Sequence, residues 1–190
     1  MKSVSILGSN YGNFPDKNAT VLADFLLRNT PDKVIVISNR KNSKFWIALP
    51  DSRLTIVRRR SLLALYWLIR ASRIYYTHSL SDCFPLAHRI PSISRLIKGK
   101  KIFLQHGIIG LKKHLANGVS LASYIRSLES TFDTMVVSSK IEAELVAGFG
   151  IDKSKLSLTG LARFDRYNLS ERRKKKEGNH KRALVFFTWS

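Results

Sequence analysis

A histidine followed at once by a glycine, His106-Gly107, and then by the adjacent pair Lys112-Lys113, is the grouping in this chain best suited to chemistry. Imidazole exchanges a proton near neutral pH and so can relieve an attacking hydroxyl of its proton. A neighbouring glycine lets backbone and substrate approach closely, and lysine offers a compact positive charge to a phosphate. The residues before the histidine, Lys101-Ile102-Phe103-Leu104-Gln105, read as a strand. Such a strand carries the histidine to the carboxyl edge of a sheet, where open α/β sheets bind their ligands. On spacing alone, the same residues suit a polar strand end and a solvated lysine face equally well. His78, beside Ser79, either lines the same cleft or bonds locally. With His88, His114 and His180 it has no tight ligand spacing, and only one cysteine is present, so no metal or other cofactor is expected. Gly8-Ser9-Asn10-Tyr11-Gly12 lacks the spacing of a dinucleotide-binding glycine loop.

The elements that must position these residues alternate in type. Strands are predicted at Val4–Gly8, Val34–Ser38, Leu54–Val57, Arg73–His78, Lys101–His106, Thr134–Ser138, Leu156–Thr159 and Ala183–Thr188, several of them nearly continuous apolar runs. Helical patterns occupy Ala19–Arg28, Ser61–Ala71, Ser120–Ser130 and Ser139–Phe149. The alternation predicts a doubly wound, Rossmann-like parallel α/β sheet with flanking helices. Asn18 or Thr20 is placed to cap the first helix, and Ser138 or Ser139 with Glu142 forms a capping-box pattern closed by Gly148 and Gly150. The run from Arg58 to Arg70 is basic at its ends and apolar on nearly every face, which predicts a buried crossover helix rather than an interfacial one.

Charge is the unusual quantity. Lys and Arg total 33 against 13 acids in 190 residues, a formal net charge of +20. Such a surface attracts polyanions: nucleic acid, anionic lipid or phosphate-rich polymer. Nucleic acid is the least favoured, because no reading motif or stacked-aromatic pattern is present. Cys83 stands alone, which rules out an intramolecular disulfide and suits a reducing compartment. The first apolar run, Val4 to Leu7, is too short for a secretory segment. The longest, Leu62 to Ile69, falls far below the ~20 residues needed to span a bilayer. The expected location is therefore cytoplasmic, with contact to the membrane's inner face.

Six segments in order resemble the CDP-glycerol glycerophosphotransferases, which build teichoic-acid-like polymers. The strand ending in Gln105-His106-Gly107 and running on to Leu111-Lys112-Lys113 is similar to their W-H-G-x-P-L-K-K signature. Asp16 to Leu26 resembles an early D-N-containing segment, and Arg73 to Ser79 the strand preceding the active-site histidine. Val136-Val137-Ser138-Ser139 with its helix resembles an S-x-x-E stretch. Thr159 to Asp165 is similar to G-x-P-R-x-D, and Phe187-Thr188-Trp189-Ser190 to the P-T-W-R that opens a second domain. Gln105 stands where the family has Trp, and Ala162 where it has Pro, as in a divergent branch.

The resemblance implies the N-terminal half of a GT-B-type transferase: residues 1–169 as an acceptor-side domain, 170–182 as a basic linker, and 183–190 as the first strand of a nucleotide-binding domain. It implies transfer of glycerol phosphate from CDP-glycerol to a hydroxyl of a surface polymer or lipid-linked primer, with release of CMP. His106 would be the base toward that hydroxyl. Gly107, Lys112, Lys113, Arg163 and Asp165 would contact substrate. CDP-glycerol itself would be held by the second domain. The alternatives are a sugar-nucleotide transferase of the same architecture and a basic polyanion-binding module without catalysis.

Overall fold

The computed structural model describes residues 3–13, 17–39, 51–87, 90–109 and 120–166. In chain order these form β1 (Val4–Gly8), α1 (Lys17–Asn29), β2 (Lys33–Ser38), β3 (Leu54–Arg58), α2 (Leu62–Arg70) and β4 (Arg73–Tyr76). There follow α3 (Pro91–Leu96), β5 (Lys100–Phe103), α4 (Leu121–Leu128), β6 (Thr134–Val137), α5 (Lys140–Gly148) and β7 (Leu156–Leu158). The strands make one seven-stranded sheet in the order β3-β2-β1-β4-β5-β6-β7, every described pair parallel. This is the doubly wound Rossmann-like topology, with the direction of winding reversed between β1 and β4.

The apolar runs are continuous because the inner strands are covered on both sides. On one face Ala19, Ala23, Leu26 and Leu27 of α1 pack on Leu7, Val34, Val36 and Tyr75. On the other, Ile6, Ile35, Ile74, Phe103 and Met135 meet Leu68 of α2, Ile125 of α4 and Val146 of α5. Ser5 is the polar exception in β1: its hydroxyl donates to the buried Asp32 at 2.6 Å, and Asp32 also pairs with Arg73 at 3.0 Å. Serines start three of the helices. Ser61, Ser120 and Ser139 each accept from the backbone N–H three residues on, satisfying a donor that the first turn leaves open.

Several expectations are corrected. β5 stops at Phe103, short of His106. Leu104 still donates to the Tyr76 carbonyl at 2.8 Å, but Gln105 then turns into the left-handed region at φ 60° and carries His106 out of the ladder. β4 ends at Tyr76, because the N–H groups of Thr77 and His78 turn instead to the Asp82 carboxylate. α1 begins at Lys17, so Asn18 lies inside it and spends its side chain elsewhere. α3, opening on Pro91, was not anticipated. α2 is not buried all round. Ala64 and Leu68 face the sheet, while Leu62, Leu63 and Tyr66 are 84%, 51% and 48% exposed. A helix packed on one sheet face buries one stripe, however apolar the others are. The expected linker and the terminal strand lie outside the described residues.

The reversal of winding opens a crevice, and the chain closes it tightly at Gly8. A Cβ built there would lie 2.7 Å from Cys83 Sγ and 2.8 Å from the Asp82 carbonyl carbon. The obstruction is largely backbone and cannot rotate away. Gly8→Ala is therefore expected to destabilise the chain by ~1–3 kcal/mol, measured as an earlier denaturant midpoint. An unchanged midpoint would mean that the turn after β4 retreats freely.

Candidate active site

The carboxyl ends of β1, β4 and β5 bring Tyr11, His78 and His106 together. The two imidazoles lie face to face, with ring centroids 4.4 Å apart and planes within 6°. Tyr11 also packs against His78, with ring centroids 5.4 Å apart and planes tilted by 37°. His106 is exposed and His78 half-buried. Asn10 and Tyr11 both hold left-handed backbone, at φ 44° and 52°, unusual for residues other than glycine.

One buried carboxylate organises this corner. Asp82 has no exposed surface. Its Oδ2 accepts from the N–H groups of Thr77 at 3.0 Å and His78 at 2.8 Å, and from the Thr77 hydroxyl at 3.3 Å. Its Oδ1 accepts from the Tyr11 N–H at 2.8 Å. His78 Nδ1 lies 2.9 Å from the Thr77 hydroxyl and 3.6 Å from Asp82. Burial pulls the Asp82 carboxyl upward, but bonds from the His78 side chain and from the Tyr11 and His78 backbone outweigh it. The group sits below the ordinary value of 3.8. Behind it Arg59 is buried, donates to the Ser81 carbonyl at 2.6 Å, and lies 5.7 Å from the Tyr11 ring.

A second tie fixes the His106 loop. The Asn18 amide donates to the Gln105 carbonyl at 3.0 Å. Its oxygen accepts from Arg163 twice, from the backbone N–H at 3.0 Å and from Nε at 3.2 Å. The Arg163 guanidinium also donates to the His106 carbonyl. A third tie runs through Glu142, buried at the start of α5. Its carboxylate accepts from Ile109 at 2.8 Å and from Ser138 at 2.6 Å, joining the loops after β5 and β6. Gln105 is buried and donates to the Val136 carbonyl. It helps to line a small cavity of about 40 Å³ with His106, Gly107, Leu121 and Tyr124.

Of the residues singled out from the sequence, His106, Gly107 and Arg163 are thus assembled in one place. Among the described residues nothing lies within 4 Å of a Cβ built on Gly107, so their packing does not demand glycine there. Asp165 is exposed and lines a separate hollow of about 350 Å³ with Leu22, Phe25 and Ile102. Lys112 and Lys113 lie outside the described residues, as do His88, His114 and His180. Asp82, Thr77, Tyr11 and Asn18 were missed as site residues. The one local signal was an acid four residues after His78, on a turn capped by Ser79. Among the described residues no three His, Cys, Asp or Glu side chains group as metal ligands.

The fold recurs in known transferases. A variant of the wall teichoic acid polymerase TagF, soaked with CDPG, superposes with a TM-score of 0.60 at 14% identity, covering 92% of this chain and 43% of that one. HepE from Anabaena in complex with UDP-glucose gives 0.56 at 10% identity, covering 85% and 44%. A glycosyltransferase from Rickettsia africae gives 0.51 at 11%, covering 84% and 42%. The likeness is one of fold. No family model matches the sequence, and no curated protein does. The chain spans less than half the length of each of these structures.

A carboxyl whose folded pKa is depressed contributes stability that is complete above its ordinary value and is lost as pH falls through the folded one. The Asp82 contribution is therefore full at neutral pH and disappears below about pH 4. Urea unfolding measured across that range should show a steeper acid loss in the parent chain than in Asp82→Asn. Parallel acid limbs would mean that Asp82 is not held as an anion.

Proposed function

We propose that the chain is the acceptor-side half of a transferase moving glycerol phosphate, or a related polyol phosphate, from CDP-glycerol to a hydroxyl of a surface polymer or lipid-linked primer. The observation that carries this reading is the exposed His106 imidazole at the carboxyl edge of the sheet, its loop anchored by Asn18 and Arg163. The TagF and HepE structures, with CDPG and UDP-glucose, support a nucleotide-linked donor. His106 takes the proton from the acceptor hydroxyl. That oxygen forms a bond to the donor's glycerol-bearing phosphorus, and the bond from that phosphorus to the bridging oxygen breaks. CMP leaves with the bonding electrons. Positive charge from Arg163 and from Lys112 and Lys113 offsets what develops on the phosphates, since such transfers depend chiefly on positioning and electrostatics.

The test supplies the chain with a donor-binding domain and measures CMP release from CDP-glycerol with a polymer acceptor. His106→Ala should lower turnover by ~10²–10⁴-fold, the usual worth of a general base, while leaving the thermal transition in place. UDP release from a sugar nucleotide, without CMP release, would replace this reading with that of a glycosyltransferase.

The acceptor side is further proposed to work against an anionic membrane at its inner face. No described helix is long and apolar enough to cross a bilayer. α2, however, exposes Leu62, Leu63, Tyr66 and Ile69 between the exposed Arg58, Arg60 and Arg70, with Arg70 lying 5.6 Å from the Tyr66 ring. An apolar stripe rimmed by arginines suits the headgroup boundary of an acidic bilayer. Flotation with vesicles of phosphatidylcholine and phosphatidylglycerol should carry the chain up, and pure phosphatidylcholine should not. Replacing Leu62 and Tyr66 with Asp together should weaken that binding at least ~10-fold. Binding that ignores the double substitution would place any membrane contact elsewhere.

A further inference from the structure

Gln105 carries the one loose end among the buried polar groups of the site. It is 1% exposed, and its backbone carbonyl accepts from Asn18. Its side-chain Nε2 donates to the Val136 carbonyl. The reverse orientation of the amide would set Oε1 against that carbonyl, two acceptors facing each other, so the amide is assigned with Nε2 there. Oε1 is left over. Among the described residues it is the only buried side-chain nitrogen or oxygen that no protein group bonds. A buried acceptor in that state is uncommon and costly, and it calls for a donor.

Gln105 also lines the cavity of about 40 Å³ that it shares with His106 and Gly107. The chemistry of this cavity narrows what can serve as the donor. Oε1 only accepts, so an ionised phosphate or carboxylate, with no proton to give, has nothing to offer it. Phe103, Ile109, Leu121 and Ile125 supply buried apolar walls, and an ammonium group would have to lose its water to enter among them. A neutral hydroxyl meets both conditions. A single water needs roughly 10–15 Å³ of such space. The cavity therefore suits a hydroxymethyl group and is too small for a sugar ring or an acetamido group.

We propose that Gln105 is a specificity-determining residue that binds a non-reacting hydroxyl of the acceptor. The acceptor ends in a 1,2-diol: one hydroxyl donates to Gln105 Oε1, and its neighbour faces His106. Gln105 and His106 are consecutive residues lining one cavity, so a two-carbon unit is long enough to address both. Calling the diol an acceptor rests on the transfer reading above, whereas its binding at Gln105 does not.

The binding needs no reaction to be seen. Gln105 is the only glutamine in the chain, so nitrogen-15 labelling of the glutamine side chain gives a single amide pair to follow. In the 190-residue chain that pair should shift saturably on titration with ethylene glycol. 1,2-Dimethoxyethane, the same skeleton without an O–H, should leave it in place. A pair that ignores the diol, as it would beneath a resident water that the diol does not displace, would overturn the proposal. So would a pair that follows the ether equally. With a donor-binding domain supplied, an acceptor ending in a 1,2-diol should exceed the analogue lacking the non-reacting hydroxyl by at least about 10-fold in kcat/KM, the effect of one buried acceptor left bare. Gln105→Met, which keeps the side chain's length without Oε1, should bring the two acceptors within about 2-fold. An undiminished preference in Gln105→Met would overturn the proposal. If that variant does not fold, the labelled amide and the acceptor comparison in the parent chain still decide. Diol-dependent shifts in a chain that releases no CMP from CDP-glycerol would instead sink the substrate reading and leave the diol subsite standing.

Discussion

The Asp82 carboxylate is where the site and the fold meet. In a doubly wound sheet the strands on either side of the winding reversal send their connections to opposite faces, so the loops after β1 and β4 part company. Their N–H groups lose ladder partners at the very point where the chain is buried. Asp82 answers by accepting from Thr77, His78 and Tyr11, which belong to those two loops. A buried charge is costly unless it is fully bonded, and here the bonds are numerous enough to keep the carboxyl below its ordinary value despite burial. The same bonds dictate where Tyr11 and His78 stand. Much of this corner's geometry is therefore a by-product of satisfying backbone donors.

The pattern repeats around the rim. Glu142 does for the loops after β5 and β6 what Asp82 does for those after β1 and β4, receiving one backbone N–H from each. Asn18 joins the start of α1 to the loop after β5 and to the segment after β7, using both ends of its amide. Each tie is a polar side chain, buried or nearly so, that replaces hydrogen bonds the diverging strands no longer provide. The apolar body of the sheet sets the positions of the strands. These few polar residues set the positions of what the strands deliver.

That division explains what was legible in the sequence. The strands were readable because inner strands of a covered parallel sheet are apolar on both faces, and the first was placed to the residue. His106 was readable because it follows such a run. His78 was read as either lining the same cleft or bonding locally, and the sequence could not choose, because strand order is not written in any local pattern. Glu142 was read correctly as opening a helix. Its N–H does meet Ser139, but its carboxylate bonds Ser138 and Ile109 rather than closing the box on Ser139. Asn18 was read as a cap for the same reason: a short polar side chain near a helix start is usually spent locally. α2 failed differently. Its residues are apolar on every face, so periodicity could not say which face the sheet would take.

The ties also separate what the fold holds from what the proposed chemistry would use. Asp82, Asn18 and Glu142 are buried and act on backbone. His106 is exposed and Arg163 is only half-buried, and each is reached by its tie through a loop rather than built into a strand. Gly107 fits the same account, with no described residue within 4 Å of where its Cβ would lie. Gln105 is less free, because its buried side chain donates to the Val136 carbonyl of β6 and its backbone is left-handed.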